Sequence, residues 1–483
     1  MTTAKFDLEP DGATQRAWLE AAGKIVLDHI ASLGSTPTVA DPKAHDPGPN
    51  HRRVGEAPLE GGMDAALAIV ADAARAAFST TAPGYLAYIP GGGLFATAVA
   101  DLVADVLNRY TGLVAAAPAL ARLENDVLSW LCAEFGYGRG AAGLFTSGGS
   151  LATLTAVVAA REARLGADGD LRLAVGYASA QAHASIAGAF RMAGLPLKNL
   201  RAVPVDDAFR LSADKLREMV RADRARGLTP FMVIASAGTT NTGAIDPLPP
   251  IAALCVEEKL WLHVDGAYGG AFVLCEEGRA RLRGMELADS IVFDPHKGLF
   301  LPYGTGCLLM RDGVPAAEAG DHSYLRDVRS QAGADAPASP ADFGLELSRP
   351  FRGLRVWLPL MLHGAAAFRE ALAEKLVLAA AFHTGLQELA REGLPIEIVA
   401  APQLSIVAFR LSRLAAEPID RWNRRNAAFL AAINARGRCF LSSTLLPTAD
   451  GDTVTLRVCI LSYRTHRPQI AYCLEDVRSA AVG

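Results

Sequence analysis

The sequence predicts an α/β protein built on a mostly parallel sheet with helices on both faces. Three observations carry this reading. Seven short, β-prone apolar runs lie between residues 144 and 311, helical segments separate most of them, and glycine and polar residues collect where the runs end. Strands joined through helical crossovers pair in parallel, and each crossover helix covers one face of the sheet. With 483 residues, 51% of them hydrophobic, the chain is long enough for a large core, and a net charge of −4 fits neither a basic nucleic-acid binder nor a disordered acidic chain.

The elements follow in order. Trp18, Ala22, Ile25, Val26, His29 and Ile30 recur at helical spacing, so Thr14 to Leu33 reads as a helix, followed by a Pro/Gly/His-rich linker from Ser35 to Pro58. Residues 1–80 are therefore an N-terminal helical arm and linker. A helix-rich passage from Met63 to Phe135 leads into a large domain, 81–350. Its runs are LFTS (144–147), LAVGYAS (173–179), LRAVPV (200–205), FMVIASAG (231–238), LWLHVD (260–265), SIVFD (290–294) and GCLLMR (306–311). Residues 312–350 are too rich in Gly, Ala, Asp and Pro, and too long, for an ordinary connection, and read as a mobile lid. A long helix from Leu354 to Arg391 and the strands IEIVA, LSIVAFRL and VTLRVCIL then predict a smaller α+β domain, 351–483.

The seven cysteines form no C-x-x-C pair, which argues against a disulfide framework or a cysteine zinc site and for a reducing cytoplasm. The first twenty residues show no apolar core of a secretion signal. Two charge-free stretches, 76–100 and 140–160, are interrupted by Pro83, Pro90 and glycine clusters, so they read as buried interior and not as membrane spans.

In such sheets ligands bind beyond the carboxyl ends of the strands. On the run Trp261 to Asp265, His263 and Asp265 share one face, and Asp265 ends the strand. Asp294-Pro295-His296-Lys297 follows another buried strand and brings a lysine to the same cleft. A lysine opposite an aspartate suits an aldehyde cofactor. Pyridoxal phosphate needs an amine for a Schiff base, a carboxylate to keep the pyridine nitrogen protonated, donors for its phosphate and a flat group on its ring. Lys297 can supply the amine and Asp265 the carboxylate. Gly148-Gly149-Ser150 opens a helix whose free N–H groups favour phosphate, and His183 can stack on the ring.

The ordered set S-G-G-S-L-A-T, Q-A-H-A-S, G-T-T-N-T-G-A-I-D, W-L-H-V-D-G-A-Y and D-P-H-K resembles the group II pyridoxal phosphate-dependent amino acid decarboxylases, a family that includes aromatic-L-amino-acid decarboxylase. The likeness extends to PGYLAYIPGG, APALARLENDVLSWL and LRVCILSYRTH. It implies the fold-type I pyridoxal phosphate-dependent architecture with a seven-stranded sheet. It also implies decarboxylation of an L-amino acid, aromatic or hydrophobic by preference, to the amine and carbon dioxide. By the same resemblance Lys297 carries the cofactor and Asp265 pairs with its pyridinium nitrogen. His183 stacks on the ring and serves in proton transfer, while Ala267 packs on the opposite face. Gly149, Ser150 and His296 hold the phosphate, and Thr240 and Asp294 stand beside the cofactor. A homodimer with active sites at its interface is implied, with Thr80, Tyr88, Ile89, Pro90, Tyr110 and Gly112 in the substrate pocket and Tyr110 to Gly112 reaching across subunits.

The chain departs from the family pattern in three places. No tyrosine stands in the stretch before Arg349-Pro350-Phe351-Arg352, where aromatic decarboxylases carry one thought to protonate the substrate carbon; Tyr324 lies earlier. Related aldehyde synthases also lack that tyrosine, so an oxygen-using aldehyde synthase is an alternative, as is another lyase or an aminotransferase of the same fold type. Thr80, Ile89 and Gly112 replace aromatic walls, and no dedicated arginine for a second substrate carboxylate is evident beyond Arg109 and Arg326. A metal site on His263, Asp265 and His296 would leave Lys297 and the Gly-Gly-Ser cradle without a purpose. No nucleic-acid or membrane partner is expected.

Overall fold

The computed structural model describes residues 8–38, 57–166, 168–313 and 339–482. Its helices are α1 (Gly12–Ser32), α2 (Gly62–Arg75), α3 (Phe95–Leu107), α4 (Pro118–Glu134), α5 (Gly149–Leu165), α6 (Ser185–Met192), α7 (Ala213–Ala225), α8 (Leu248–Glu257), α9 (Glu276–Arg281), α10 (Pro295–Gly298), α11 (Arg352–Arg391), α12 (Ile419–Asn434) and α13 (Arg467–Val482). The strands are β1 (Ala142–Thr146), β2 (Ala174–Ser179), β3 (Leu200–Val203), β4 (Thr229–Ser236), β5 (Trp261–Asp265), β6 (Ser290–Phe293), β7 (Gly306–Met310), β8 (Ile396–Ile398), β9 (Ile406–Leu411), β10 (Ser442–Thr448) and β11 (Gly451–Cys459).

The first seven strands form one sheet in the order β1-β7-β6-β5-β4-β2-β3. The pairs among β6, β5, β4, β2 and β3 are parallel, and β7 runs antiparallel to both of its neighbours, β1 and β6. The central strands are buried on both faces, which is why they read as unbroken apolar runs and not as alternating ones. One face packs against α4, α8 and α11 residues such as Leu131, Ile251 and Leu372. The other packs against α5, whose buried stripe of Ala152, Ala156, Ala159 and Ala160 lets the helix lie close to the sheet. The carboxyl ends of β4, β5 and β6 therefore open beside the amino end of α5.

The second sheet, β10-β11-β9-β8, is antiparallel throughout and is covered by α12, α13 and the later part of α11. Strand β10 was not among the strands expected from sequence. It is a half-exposed edge carrying Pro447, so neither an apolar run nor clean alternation marks it. Helix α11 breaks at Gly364, where φ is 75° and ψ 154°.

The expected lid, 312–350, divides. Residues 314–338, with Tyr324 and Arg326, lie outside the described residues. Residues 339–350 are anchored: Ala341 N–H donates to the Gly112 carbonyl at 3.1 Å, and Val114 N–H donates to Ser339 Oγ at 3.1 Å. Arg349 Nη1 meets Glu124 Oε1 at 2.6 Å with each side chain 1% exposed, and Glu124 Oε2 accepts the Gly353 N–H at 3.0 Å. This ion pair fastens the loop's end to α4 and to the start of α11.

Candidate active site

A cavity of about 220 Å³ lies at the carboxyl ends of β4, β5 and β6, and its walls include Gly149, Ser150, His183, Thr240, Asp265, Ala267, Asp294, His296 and Lys297. All nine residues expected to meet the cofactor line this one space, from five separate stretches of chain.

Local chemistry fixes each wall. Asp265 ends β5, is 9% exposed, and accepts the Ala267 N–H on Oδ1 at 3.0 Å, which sets the plane of its carboxylate. Helix α5 begins at Gly149 with no side chain capping it, so its first N–H groups face the cavity. A Cβ on Gly149 would stand 3.0 Å from Asp294 Oδ2, and one on Gly306 would stand 2.4 Å from the carbonyl carbon of Gly148. Only bare backbone fits between β7, Asp294 and the helix start. His183 is exposed; its Nδ1 accepts the Ser185 N–H at 3.2 Å, which leaves the proton of the neutral ring on Nε2.

Lys297 Nζ lies 2.8 Å from Asp294 Oδ2, and His296 Nε2 lies 3.7 Å from the same oxygen. His296 Nδ1 donates to the Thr305 carbonyl at 2.7 Å, and burial lowers its pKa, so Nε2 carries a lone pair. Asp294 Oδ1 is buried and unpartnered.

Four residues without an assigned role from sequence shape the site. Asp246, the final residue of the G-T-T-N-T-G-A-I-D motif, accepts N–H groups from Leu211 and Ser236, both at 2.7 Å, and burial raises its pKa to about 6. It pins the end of β4. His263 does not line the cavity: it is fully buried on β5, with Nδ1 2.8 Å from Ser290 Oγ, and burial lowers its pKa to about 4. Arg457, buried on β11, donates to the Thr240 carbonyl at 2.6 Å and to Ser442 Oγ at 3.0 Å. Tyr303, six residues beyond Lys297, sets its ring edge-on to His296 at 5.7 Å. Tyr303 is separable from the other tyrosines of the sequence only by knowing how the chain turns after α10.

The expected substrate-pocket residues stand apart. Thr80, Tyr88, Ile89, Pro90, Tyr110 and Gly112 are not among the cavity's lining residues. Tyr88 adopts φ 52°, donates its N–H to Ser442 Oγ at 3.0 Å and is 55% exposed. Gly91, next to Pro90, abuts the Tyr303 ring, where a Cβ would come within 3.1 Å. Gly112 is pressed against the Leu347 carbonyl of its own chain. Their sequence neighbours pack on Tyr303 and on the anchored part of the loop, so within one chain they border the site without entering it.

Residues 64–412 match the model of the pyridoxal-dependent decarboxylase conserved domain. The chain belongs to this family. Aromatic-L-amino-acid decarboxylase of Bacillus atrophaeus is 35% identical over 401 residues, 83% of this chain and 81% of that one. Phenylacetaldehyde synthase of Petunia hybrida is 31% identical over 382 residues, 75% of this chain and 74% of that one. A solved structure of Oryza sativa TDC with PLP and tryptamine superposes with a TM-score of 0.87 at 25% identity, covering 98% of this chain and 99% of that one.

This decarboxylase takes pyridoxal 5'-phosphate as its cofactor and acts on an amino acid. The residues present fit that group. An amine, a carboxylate with one oxygen already held, an uncapped helix start with glycine at its closest approach, and an exposed imidazole surround one cavity. No helix among the described residues is long and apolar enough to cross a membrane.

Proposed function

We propose that the chain decarboxylates an aromatic or hydrophobic L-amino acid to its amine and carbon dioxide. The observation that carries this reading is the placement of Lys297 and Asp265 on one 220 Å³ cavity that begins at the uncapped start of α5. The names of the Bacillus and rice proteins support the aromatic preference.

When bound, the cofactor supplies an electron sink for the bond between the substrate's α-carbon and its carboxylate. The chain supplies position and charge. Lys297 Nζ would hold the cofactor by its aldehyde and give place to the substrate amine. Asp265, oriented by the Ala267 N–H, would keep the pyridine nitrogen protonated, while Gly149, Ser150 and His296, on the same cavity, would receive the phosphate. His183 would cover the cofactor ring and move a proton through Nε2, while Ala267 and Thr240 would line the rest of its site. Arg457 fixes Thr240 by its carbonyl. The large unit 81–350 carries all of these side chains except Arg457, between the arm 1–80 and the small domain 351–483.

A homodimer completes this reading. Leu102, Val103, Val106 and Leu107 on α3 and Leu19, Val26 and Leu27 on α1 are exposed, apolar surface of the kind a second copy covers. Tyr88, Ile89, Pro90, Thr80 and, from the partner, the Tyr110–Gly112 segment then wall the substrate pocket. All seven cysteines are buried free thiols, in keeping with a cytoplasmic enzyme.

A second reading is decarboxylation followed by reaction with oxygen to an aldehyde. The Petunia relative and the lack of tyrosine between 339 and 352 favour it. Product analysis with and without oxygen, on a pool of the standard L-amino acids, decides between them. Amine formed at a rate indifferent to oxygen upholds the first reading; aldehyde and peroxide that require oxygen replace it with the second.

A further inference from the structure

The turn that carries His183 is tied to the end of β2: Gln181 N–H donates to Ser179 Oγ at 3.0 Å, and Ala182 N–H donates to the Ser179 carbonyl at 2.9 Å. The His183 ring itself is exposed and bonded to Ser185, two residues on. These contacts are all local, so they shape the turn without fixing where it stands over the cavity.

A contact from another strand does that. Gln181 is 8% exposed, and its Oε1 accepts Asn241 Nδ2 at 3.0 Å. Asn241 sits in the turn after β4, which closes on itself: Gly243 N–H donates to the Thr239 carbonyl at 2.8 Å, Thr239 N–H to the Ala244 carbonyl at 2.9 Å, and Ala244 N–H to Thr239 Oγ1 at 3.1 Å. The other end of the same amide, Oδ1, accepts the Thr444 hydroxyl at 2.8 Å from β10. One amide therefore joins segments 60 and 203 positions away from it. Gln181, Asn241 and Thr444 are not among the cavity's lining residues, so whatever they do for the reaction is done through a neighbour.

A group that moves a proton must stand within hydrogen-bond reach of its target, and a misplacement of about 1 Å can cost about 100-fold in rate. An exposed ring has little packing to hold it. We propose that Asn241 is a positioning residue for His183: by gripping Gln181 it sets the stance of the turn over the cavity, and Thr444 sets Asn241 in its turn. The small domain thereby reaches the proton-transfer group through β10, beside the Arg457 contact to the Thr240 carbonyl from β11. The inference rests on the reading of His183 as the group that moves a proton.

The test is carbon dioxide release by the cofactor-loaded full chain from each standard L-amino acid, for the wild type, Asn241→Ala, His183→Ala and the double variant. Asn241→Ala should lower kcat about tenfold while KM and the cofactor dissociation constant stay within about twofold of wild type. The double variant should be no slower than His183→Ala alone, because residues that act as a unit are not additive. An unchanged kcat in Asn241→Ala beside a slow His183→Ala would overturn the positioning role alone, as would a further tenfold loss in the double variant. A His183→Ala rate equal to wild type, or turnover of no amino acid by the wild type, would instead overturn the reading on which the proposal rests. If Asn241→Ala does not fold, Thr444→Val keeps the shape and removes the hydroxyl. It should lower kcat in the wild type and not in the His183→Ala background, and equal effects in both would overturn the proposal.

Discussion

The carboxylate of Asp265 accepts the N–H of Ala267 at 3.0 Å, so the residue that ends β5 and the turn that follows it move as one unit. In the proposed role the second carboxylate oxygen would meet the cofactor. Asp265→Asn keeps the shape and removes the charge, and a lost charge at the site of electron withdrawal costs on the order of 100-fold or more in turnover. Steady-state rates beside a cofactor titration should show that loss with binding retained; an unchanged rate would sink the assignment.

His183 is exposed and, among the described residues, hydrogen-bonded to Ser185 alone. His183→Ala should lower turnover by about 100-fold, the usual scale for a lost proton-transfer group, while thermal stability stays within about 0.5 kcal/mol of wild type. A rate equal to wild type would make the ring a mere cover.

His263 links stability to pH. Burial lowers its pKa from 6.5 to about 4, so the unfolded chain binds a proton that the folded chain refuses. That sign means the contribution is present above pH 6.5 and is lost as pH falls toward 4. Between pH 7 and pH 5 the loss is about 2 kcal/mol for this group. In urea titrations His263→Gln should lose about that much less stability over the interval than wild type does; equal losses would contradict it.

The side chains of Glu124 and Arg349 are each 1% exposed, and Arg349 Nε and Nη2 have no hydrogen-bond partner among the described residues. Glu124→Gln leaves a buried guanidinium without its counter-charge and should destabilise the fold by about 3 kcal/mol. Because the same carboxylate holds the Gly353 N–H, protease cleavage between 339 and 352 should also quicken.

The sequence was most informative where function demands a residue type at a strand end. Ser150, His183, Asp265 and Lys297 are legible because polar groups follow apolar runs there, and the fold brings them together. What was not legible depends on contacts distant in sequence. Arg457 reads as one more arginine in a strand until β11 is seen to lie against Thr240. Antiparallel β7 has the same apolar pattern as the mutually parallel strands β4, β5 and β6, since burial on both faces erases direction. Residues 339–350 look like free loop by composition, and only the meeting of Arg349 with Glu124, 225 positions apart, shows that they are fastened.

The reach of Arg457 to the Thr240 carbonyl means that the two sheets are not interchangeable parts. A fragment ended after β9 would keep every side chain of the cofactor cavity and still lack a clasp on one of its sides. In a chimera that borrowed another protein's terminal segment, the first feature to transplant would be this single guanidinium, ahead of the helices that bury most of that segment's surface.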